Sequence, residues 1–221
     1  MAKISKMIDD LTGKTEEEMR LKEQLSFLQK MASAKSEIFE NRLKRMLSTP
    51  EELGELEIVG GRALEYHSGQ HVNISQQCDD AVAEEIVEYF KGSPEIKACF
   101  QKFVKRGLSG LMGDTSIGEI EKSLVFVYPE DYSIVRVDII AYKYTFSSRD
   151  VLASNVENML VYTMAKSIVD EKKVELDYLM RFVADMLRGA DEDLPLGKTM
   201  LFVKSLRETW TMLNQDPARF R

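Results

Sequence analysis

The chain has 221 residues, a hydrophobic fraction of 44% and a formal net charge of -7, which is ordinary for a soluble protein of one large domain or one domain with an appendage. The acidic balance argues against a nucleic-acid partner, because the average surface would repel a phosphate backbone. No apolar run approaches the roughly 20 residues that span a bilayer, the first residues lack the apolar core of a secretory signal, and two cysteines do not make a disulfide framework, so we expect a cytoplasmic protein.

One long amphipathic helix is predicted for residues 15–47. Apolar side chains recur there at spacings of three, four and seven residues, which places them on one stripe of a helix. Thr15 is expected to cap the helix, and the three glutamates that follow it complement the helix dipole. The stripe consists of Leu21, Leu25, Leu28, Ala32, Phe39, Leu43 and Met46, and Met31 and Ile38 widen it.

The length of this helix determines how we divide the chain. At 1.5 Å per residue it is roughly 50 Å long, which is more than a compact domain of this size needs. We therefore predict an N-terminal helical arm over residues 1–50 and an α+β domain over residues 51–221. The stripe needs a cover, either the rest of the chain or another copy, and we expect another copy. The predicted interface residues are Leu21, Leu25, Leu28, Phe39, Leu43 and Met46.

Short strands are predicted for residues 55–76. The stretch ELEIVGG predicts one strand, while RALEYH and HVNIS flank Ser68–Gln70, a loop of hairpin length that contains a glycine. In that register His67 faces His71 across the hairpin, and the period of two places both on one face with Glu65. The other face takes Leu64, Tyr66, Val72 and Ile74.

The polar face of this hairpin is a candidate metal site. Cross-strand neighbours have Cβ atoms roughly 5 Å apart, so His67 and His71 could share one ion, with Glu65 as a third ligand. The simpler interpretation, which we prefer, is a solvated face, since three spaced polar residues are not a specific ligand signature. Cys78 and Cys99 fit the apolar faces of the next two helices, so we interpret both as core residues. No cofactor is expected.

Two helices are predicted next, at about 77–91 and 95–111, and the second is locally basic. Such a helix can bind an anionic membrane surface or an acidic partner, while the simpler interpretation is a solvated face that forms ion pairs with acidic segments. The glycine-rich stretch after it follows a helix and precedes a strand, which is the reverse of a phosphate-binding loop. The basic residues are Lys97, Lys102, Lys105 and Arg106.

The strongest strand signal is SLVFVYPEDYSIVRVDIIAYKYTF, in which two β-branched and aromatic runs surround a turn at Pro129–Asp131. The second run is apolar on both faces near Ile139 and Ile140, so we expect cover on both sides there. Polarity changes face within this run, and a twist, a bulge or a change of cover is the simplest cause. Further helices are predicted at about 149–169, 172–188 and 197–214.

The predicted fold class is α+β, with a small, mostly antiparallel sheet packed with several helices and a long N-terminal amphipathic helix. No catalytic motif has a recognisable local signature, so we expect a self-associating structural or adaptor protein without catalytic activity. We expect a homo-oligomer formed through the N-terminal helix, with a protein partner as an open addition. The alternatives are a protein that binds a membrane surface through the basic helix 95–108, and a metal-dependent enzyme centred on His67 and His71.

Overall fold

The computed structural model describes residues 2–73, 79–90, 92–147, 156–190 and 196–215. Within this part of the chain there are seven α-helices and one five-stranded sheet. The strands are β1 (Ala2–Lys3), β2 (Glu65–Val72), β3 (Gly118–Glu130), β4 (Ser133–Thr145) and β5 (Asn158–Ile168). The helices are α1 (Ile4–Asp10), α2 (Glu16–Ser48), α3 (Pro50–Leu53), α4 (Asp79–Glu88), α5 (Pro94–Met112), α6 (Leu176–Ala190) and α7 (Leu196–Gln215).

The sheet is antiparallel throughout, and its strands lie in the order β1-β2-β5-β4-β3. β3 and β4 form the predicted hairpin, in which Glu130 pairs with Ser133 and Asp131 adopts a left-handed φ of 49°. β5 lies between β4 and β2, and so joins this hairpin to a strand that precedes it by two helices. The predicted α+β class and the long N-terminal helix, α2, are confirmed.

The helix predictions are confirmed for α2, α5, α6 and α7 within a few residues, and for α4 where the structure describes it. The helix predicted at about 149–169 is wrong over residues 158–168, which form β5, while residues 149–155 lie outside the described part of the chain. β5 is buried on both faces, so its apolar residues lack the alternation that identifies a half-buried strand.

The hairpin predicted around Ser68–Gln70 is also wrong, because the segment belongs to the single strand β2. Gly69 pairs with Tyr162 in the middle of the β2–β5 ladder and forms no turn. A Cβ on Gly69 would lie 2.3 Å from the ring of Tyr162, so the close approach of that ring requires glycine here. The strand predicted for ELEIVGG is wrong as well, since this segment contains a 3₁₀ turn and a single-residue bridge from Ile58 to Val169.

Helices cover both faces of the sheet and create two hydrophobic cores. On one face the apolar stripe of α2 contacts β2 and β5, and we call this the α2 core. On the other face α4–α7 surround the buried Phe126, and we call this the α5 core. The predicted cover on both sides of β4 is confirmed, since Ile139 belongs to the α5 core and Ile140 to the α2 core.

The division into residues 1–50 and 51–221 stays a prediction.

The change of polarity along β4 involves no bulge, since its register with both neighbouring strands is unbroken. Its charged side chains are buried instead, each with partners of its own. The ammonium of Lys143 donates to the carbonyl oxygens of Met112 and Asp114, at 2.8 and 2.6 Å, just where α5 ends. A cation is stabilised there by the negative end of the helix dipole.

On the other face of β4, a buried ion pair holds the segment that follows α3. The guanidinium of Arg136 donates to the carboxylate of Asp138 at 2.8–3.2 Å and to the carbonyl oxygens of Leu53 and Leu56. Both charged side chains are buried. Burial raises the pKa of Asp138, and the guanidinium opposes that shift. The pair therefore ties α3 and the chain after it to the middle of the sheet.

Removing only the cation of this pair should destabilise the fold strongly. Arg136→Met leaves the carboxylate of Asp138 buried without a partner, for which we expect a loss of about 3–5 kcal/mol in the free energy of unfolding. The double variant Arg136→Met/Asp138→Leu removes both charges and should recover most of that loss. Urea denaturation followed by circular dichroism measures both. An equal loss in the two variants would mean that the carbonyl contacts of Arg136, and not its charge, carry the effect.

Candidate functional site

Strand β2 carries the three residues predicted as metal ligands. Glu65, His67 and His71 share one face of the sheet, as predicted, because alternate residues share a face in any strand. In a single strand, however, the four-residue spacing separates His67 from His71 by about 13 Å. The structure therefore brings Glu65 and His67 together and leaves His71 apart. Within the described residues, no group of three or more His, Cys, Asp or Glu is arranged to hold a metal ion.

His67 belongs to a partly exposed polar network. Its ring stacks on Tyr89, which follows α4, with the ring centroids 3.8 Å apart, and its Nε2 lies 3.6 Å from a carboxylate oxygen of Glu65. The ammonium of Lys166, on β5, lies 3.8 Å from Glu65 and 2.7 Å from Glu130. Both carboxylates therefore face the same cation, which is typical of a structural ion-pair network.

His71 lies in a separate cluster, in which its own side chain is fully buried. Its Nε2 is 3.5 Å from a carboxylate oxygen of Glu85, on α4, and neither ring nitrogen has a hydrogen-bond partner within the described part of the chain. The other carboxylate oxygen of Glu85 accepts a hydrogen bond from the Tyr162 hydroxyl at 2.9 Å and lies 3.2 Å from the ammonium of Lys3. The cluster thus joins β1, β2, α4 and β5 through one carboxylate.

The protonation of this cluster follows from its burial. Burial lowers the pKa of His71, while the charge of Glu85 opposes the shift and that of Lys3 adds to it. Burial and the nearby carboxylate raise the pKa of Tyr162, so its hydroxyl remains a donor. The imidazole is therefore neutral near pH 7, and its side chain is 0% exposed. The cluster connects the strands at this edge of the sheet to α4.

The basic residues predicted to meet an anionic surface lie on α5. Lys105 and Arg106 are exposed, while Lys97 and Lys102 are half-buried. The apolar side of α5 is buried in the α5 core; Lys102, Lys105 and Arg106 lie away from that side, whereas Lys97 is in line with the buried Val104. None of the helices in the described residues is long and apolar enough to cross a bilayer.

The residues predicted as an interface between copies lie inside the chain's own fold. Leu25, Leu28, Phe39 and Leu43 are buried in the α2 core, and Leu21 and Met46 pack against it at its margin. Phe39, for example, meets the ring of Tyr142 on β4 edge to face, with centroids 6.1 Å apart. The cover of this stripe is therefore the sheet of the same chain.

A second apolar stripe lies on the opposite, outward side of α2. It consists of Phe27, Met31, Ala34 and Ile38, and we call it the outer stripe. The three large side chains are 57%, 42% and 59% exposed, in that order. The interpretation that Met31 and Ile38 widen the buried stripe is wrong, since both side chains are exposed. A helical wheel at 100° per residue places them about 110° and 130° from the centre of the buried stripe. The same periodicity, counted from Phe27, identifies the outer stripe in the sequence.

A cavity of about 380 Å³ lies where the start of α5, the β3–β4 turn and α7 meet. Its walls include Ser93, Asp131, Ser205 and Thr209. The positive end of the α5 dipole favours an anion there, while the carboxylate of Asp131 favours a cation. The lining therefore selects no one charge class of ligand.

Because the imidazole of His71 is buried, we expect the free energy of unfolding to fall at acid pH. Folding lowers the pKa of His71 below its unfolded value of 6.5. Above that value the imidazole is neutral in both states, so it does not favour unfolding. As the pH falls from there towards the folded pKa, the unfolded chain binds a proton that the folded chain does not, and the fold loses stability. We expect urea denaturation to give a free energy of unfolding that falls over this range in the wild type, and falls less in His71→Leu. His67→Leu is the matched control, because it removes the other imidazole at a partly exposed position. Equal slopes in His71→Leu and the wild type would contradict this account.

Comparison with known proteins assigns no family to the chain. No family model matches it, and no curated protein and no solved structure is significantly similar to it.

Proposed function

We propose that this is a cytoplasmic, self-associating structural or adaptor protein without catalytic activity, and that α2 forms the contacts between copies through the outer stripe. The observation that carries the proposal is the row of Phe27, Met31 and Ile38 on the outside of a 33-residue helix. Single exposed apolar residues are common on protein surfaces, but apolar residues aligned along one helix face typify a docking surface. The closed environment of His71 supports the non-catalytic part of the proposal.

The outer stripe is presented on a rigid support. The inner side of α2 is buried on the sheet, and ion pairs from Lys35 to Glu119 and from Arg42 to Glu121 connect the helix to β3. The N-terminus of α2 is capped by Thr15, whose hydroxyl accepts from the backbone N–H of Glu18 at 3.1 Å. A helix that is already ordered loses little conformational entropy when it binds, which favours association.

The size of the stripe predicts a weak, reversible association. Full burial of a Phe, Met or Ile side chain stabilises by about 1.5–3 kcal/mol. In the single chain about half of the surface of Phe27, Met31 and Ile38 is exposed, so an interface can still bury that half. Six such side chains in a dimer therefore offer roughly 4.5–9 kcal/mol, against a cost of about 4–15 kcal/mol for lost translational and rotational freedom. We accordingly expect an equilibrium that depends on protein concentration.

Polar substitution of the stripe should abolish this association. The variant Phe27→Gln/Met31→Gln/Ile38→Gln keeps residues with adequate helix propensity and removes the apolar surface. Sedimentation equilibrium over a concentration series should show the wild type rising above the monomer mass of 25.3 kDa and this variant remaining at it.

The matched control changes three exposed apolar residues elsewhere, in the variant Leu64→Gln/Ile117→Gln/Tyr132→Gln. It removes a similar amount of apolar surface and should associate like the wild type. A wild-type protein that stays at the monomer mass at every concentration would overturn the proposed function. Loss of association in the control as well would mean that general surface hydrophobicity, and not α2, drives it.

A further inference from the structure

We infer that two copies pair through α2 in antiparallel orientation, about a two-fold axis that crosses the helix midway between Met31 and Ala34. This inference rests on the proposed function, because it specifies the arrangement of the same surface. The occupant of the outer stripe is therefore the outer stripe of a second copy. Such an interface is closed, so it yields a dimer and not a filament.

The spacing of the stripe is the first observation. Phe27, Met31, Ala34 and Ile38 follow one another in steps of four, three and four residues, which read the same in both directions. In the antiparallel arrangement Phe27 of one copy meets Ile38 of the other, and Met31 meets Ala34. Large side chains then face smaller ones, which fills the space evenly. In a parallel pair Phe27 would face Phe27, and Ala34 would leave a gap opposite Ala34.

The charges that flank the stripe are the second observation. Residues 16–23 contain four glutamates and two basic residues, whereas residues 41–48 contain three basic residues and no acidic one. Antiparallel pairing places the acidic segment of each copy beside the basic segment of the other. Parallel pairing places like beside like, and also aligns the two helix dipoles unfavourably.

The inferred register gives specific charge contacts. Glu23 of one copy lies opposite Arg42 of the other, and both side chains are exposed. Arg42 already pairs with Glu121 of its own chain, and its planar guanidinium can face two carboxylates. Arg20 lies opposite Arg45, and this repulsion is offset by Glu23 one helical turn away. Lys30 lies opposite Lys35, whose ammonium is 3.4 Å from Glu119 of its own chain, so the orientation depends on the acidic start of each helix facing the basic end of the other.

Distances between spin labels test the orientation directly. The wild-type Cys99 is buried and Cys78→Ser removes the other thiol, so labels can be placed singly at Lys22→Cys, Lys30→Cys and Glu37→Cys, which are exposed positions along α2. Antiparallel pairing separates the two copies' labels along the helix axis by about 32, 8 and 14 Å respectively. Parallel pairing gives similar distances at all three positions.

The outcomes separate this inference from the proposed function. A dimer whose label distance is longest in Lys22→Cys, intermediate in Glu37→Cys and shortest in Lys30→Cys supports the antiparallel pair. A dimer with three similar distances overturns the antiparallel arrangement and leaves self-association through α2 in place. A monomer mass for the wild type overturns both, and a dimer that persists in the triple glutamine variant places the interface elsewhere and also overturns both.

Ionic strength gives an independent readout on the unlabelled protein. Because opposite charges flank an antiparallel interface, raising the salt concentration should weaken the dimer measured by sedimentation. A dimer that strengthens with salt would indicate repulsion between like charges and would overturn the antiparallel orientation.

Discussion

The burial of the central sheet on both faces is the constraint on which the rest of this structure depends. β4 and β5 are covered by α2 on one side and by α5 and its neighbours on the other. A charged side chain on the buried part of these strands must therefore find its partner inside the protein, because an unpaired buried charge is costly. Arg136 with Asp138, and Lys143 at the end of α5, are the resulting solutions.

The same constraint explains the character of the histidine cluster. β2 lies between β1 and β5, and Glu85 of α4 approaches it from one face, so His71 is buried beside Glu85 and Tyr162. The imidazole remains neutral there, and its side chain is fully buried. Gly69 makes the arrangement sterically feasible, since it leaves room for the ring of Tyr162 against the backbone of β2. The side chains of His71, Glu85 and Tyr162 thus connect β2 and β5 to α4.

Covering the sheet has a further consequence for α2. One side of the helix is used completely in the α2 core, so any contact that it makes with another molecule falls to its outward side. That side carries Phe27, Met31 and Ile38 between an acidic start and a basic end. A helix with two apolar stripes is suited to joining a sheet to a second molecule, and its fixed support lowers the entropy lost on binding.

Local sequence signals were sufficient where one element determines its own conformation. Thr15 and the 3.6-residue periodicity predict α2, and the β-branched runs around Pro129–Asp131 predict the β3–β4 hairpin. The physical reason is that capping, turn chemistry and side-chain period act within one element. The sequence by itself therefore determined the α+β class, the long N-terminal helix and the odd-numbered face shared by Glu65, His67 and His71.

Only the tertiary structure decided what lies against each surface. β5 shows no alternation because both of its faces are buried, and Gly69 marks the approach of Tyr162, a contact between residues far apart in the sequence. Which of the two stripes of α2 meets the sheet depends likewise on the shape and chemistry of the opposing face. A sequence pattern records that a side chain prefers burial, whereas the fold alone selects its partner, because that partner comes from another part of the chain.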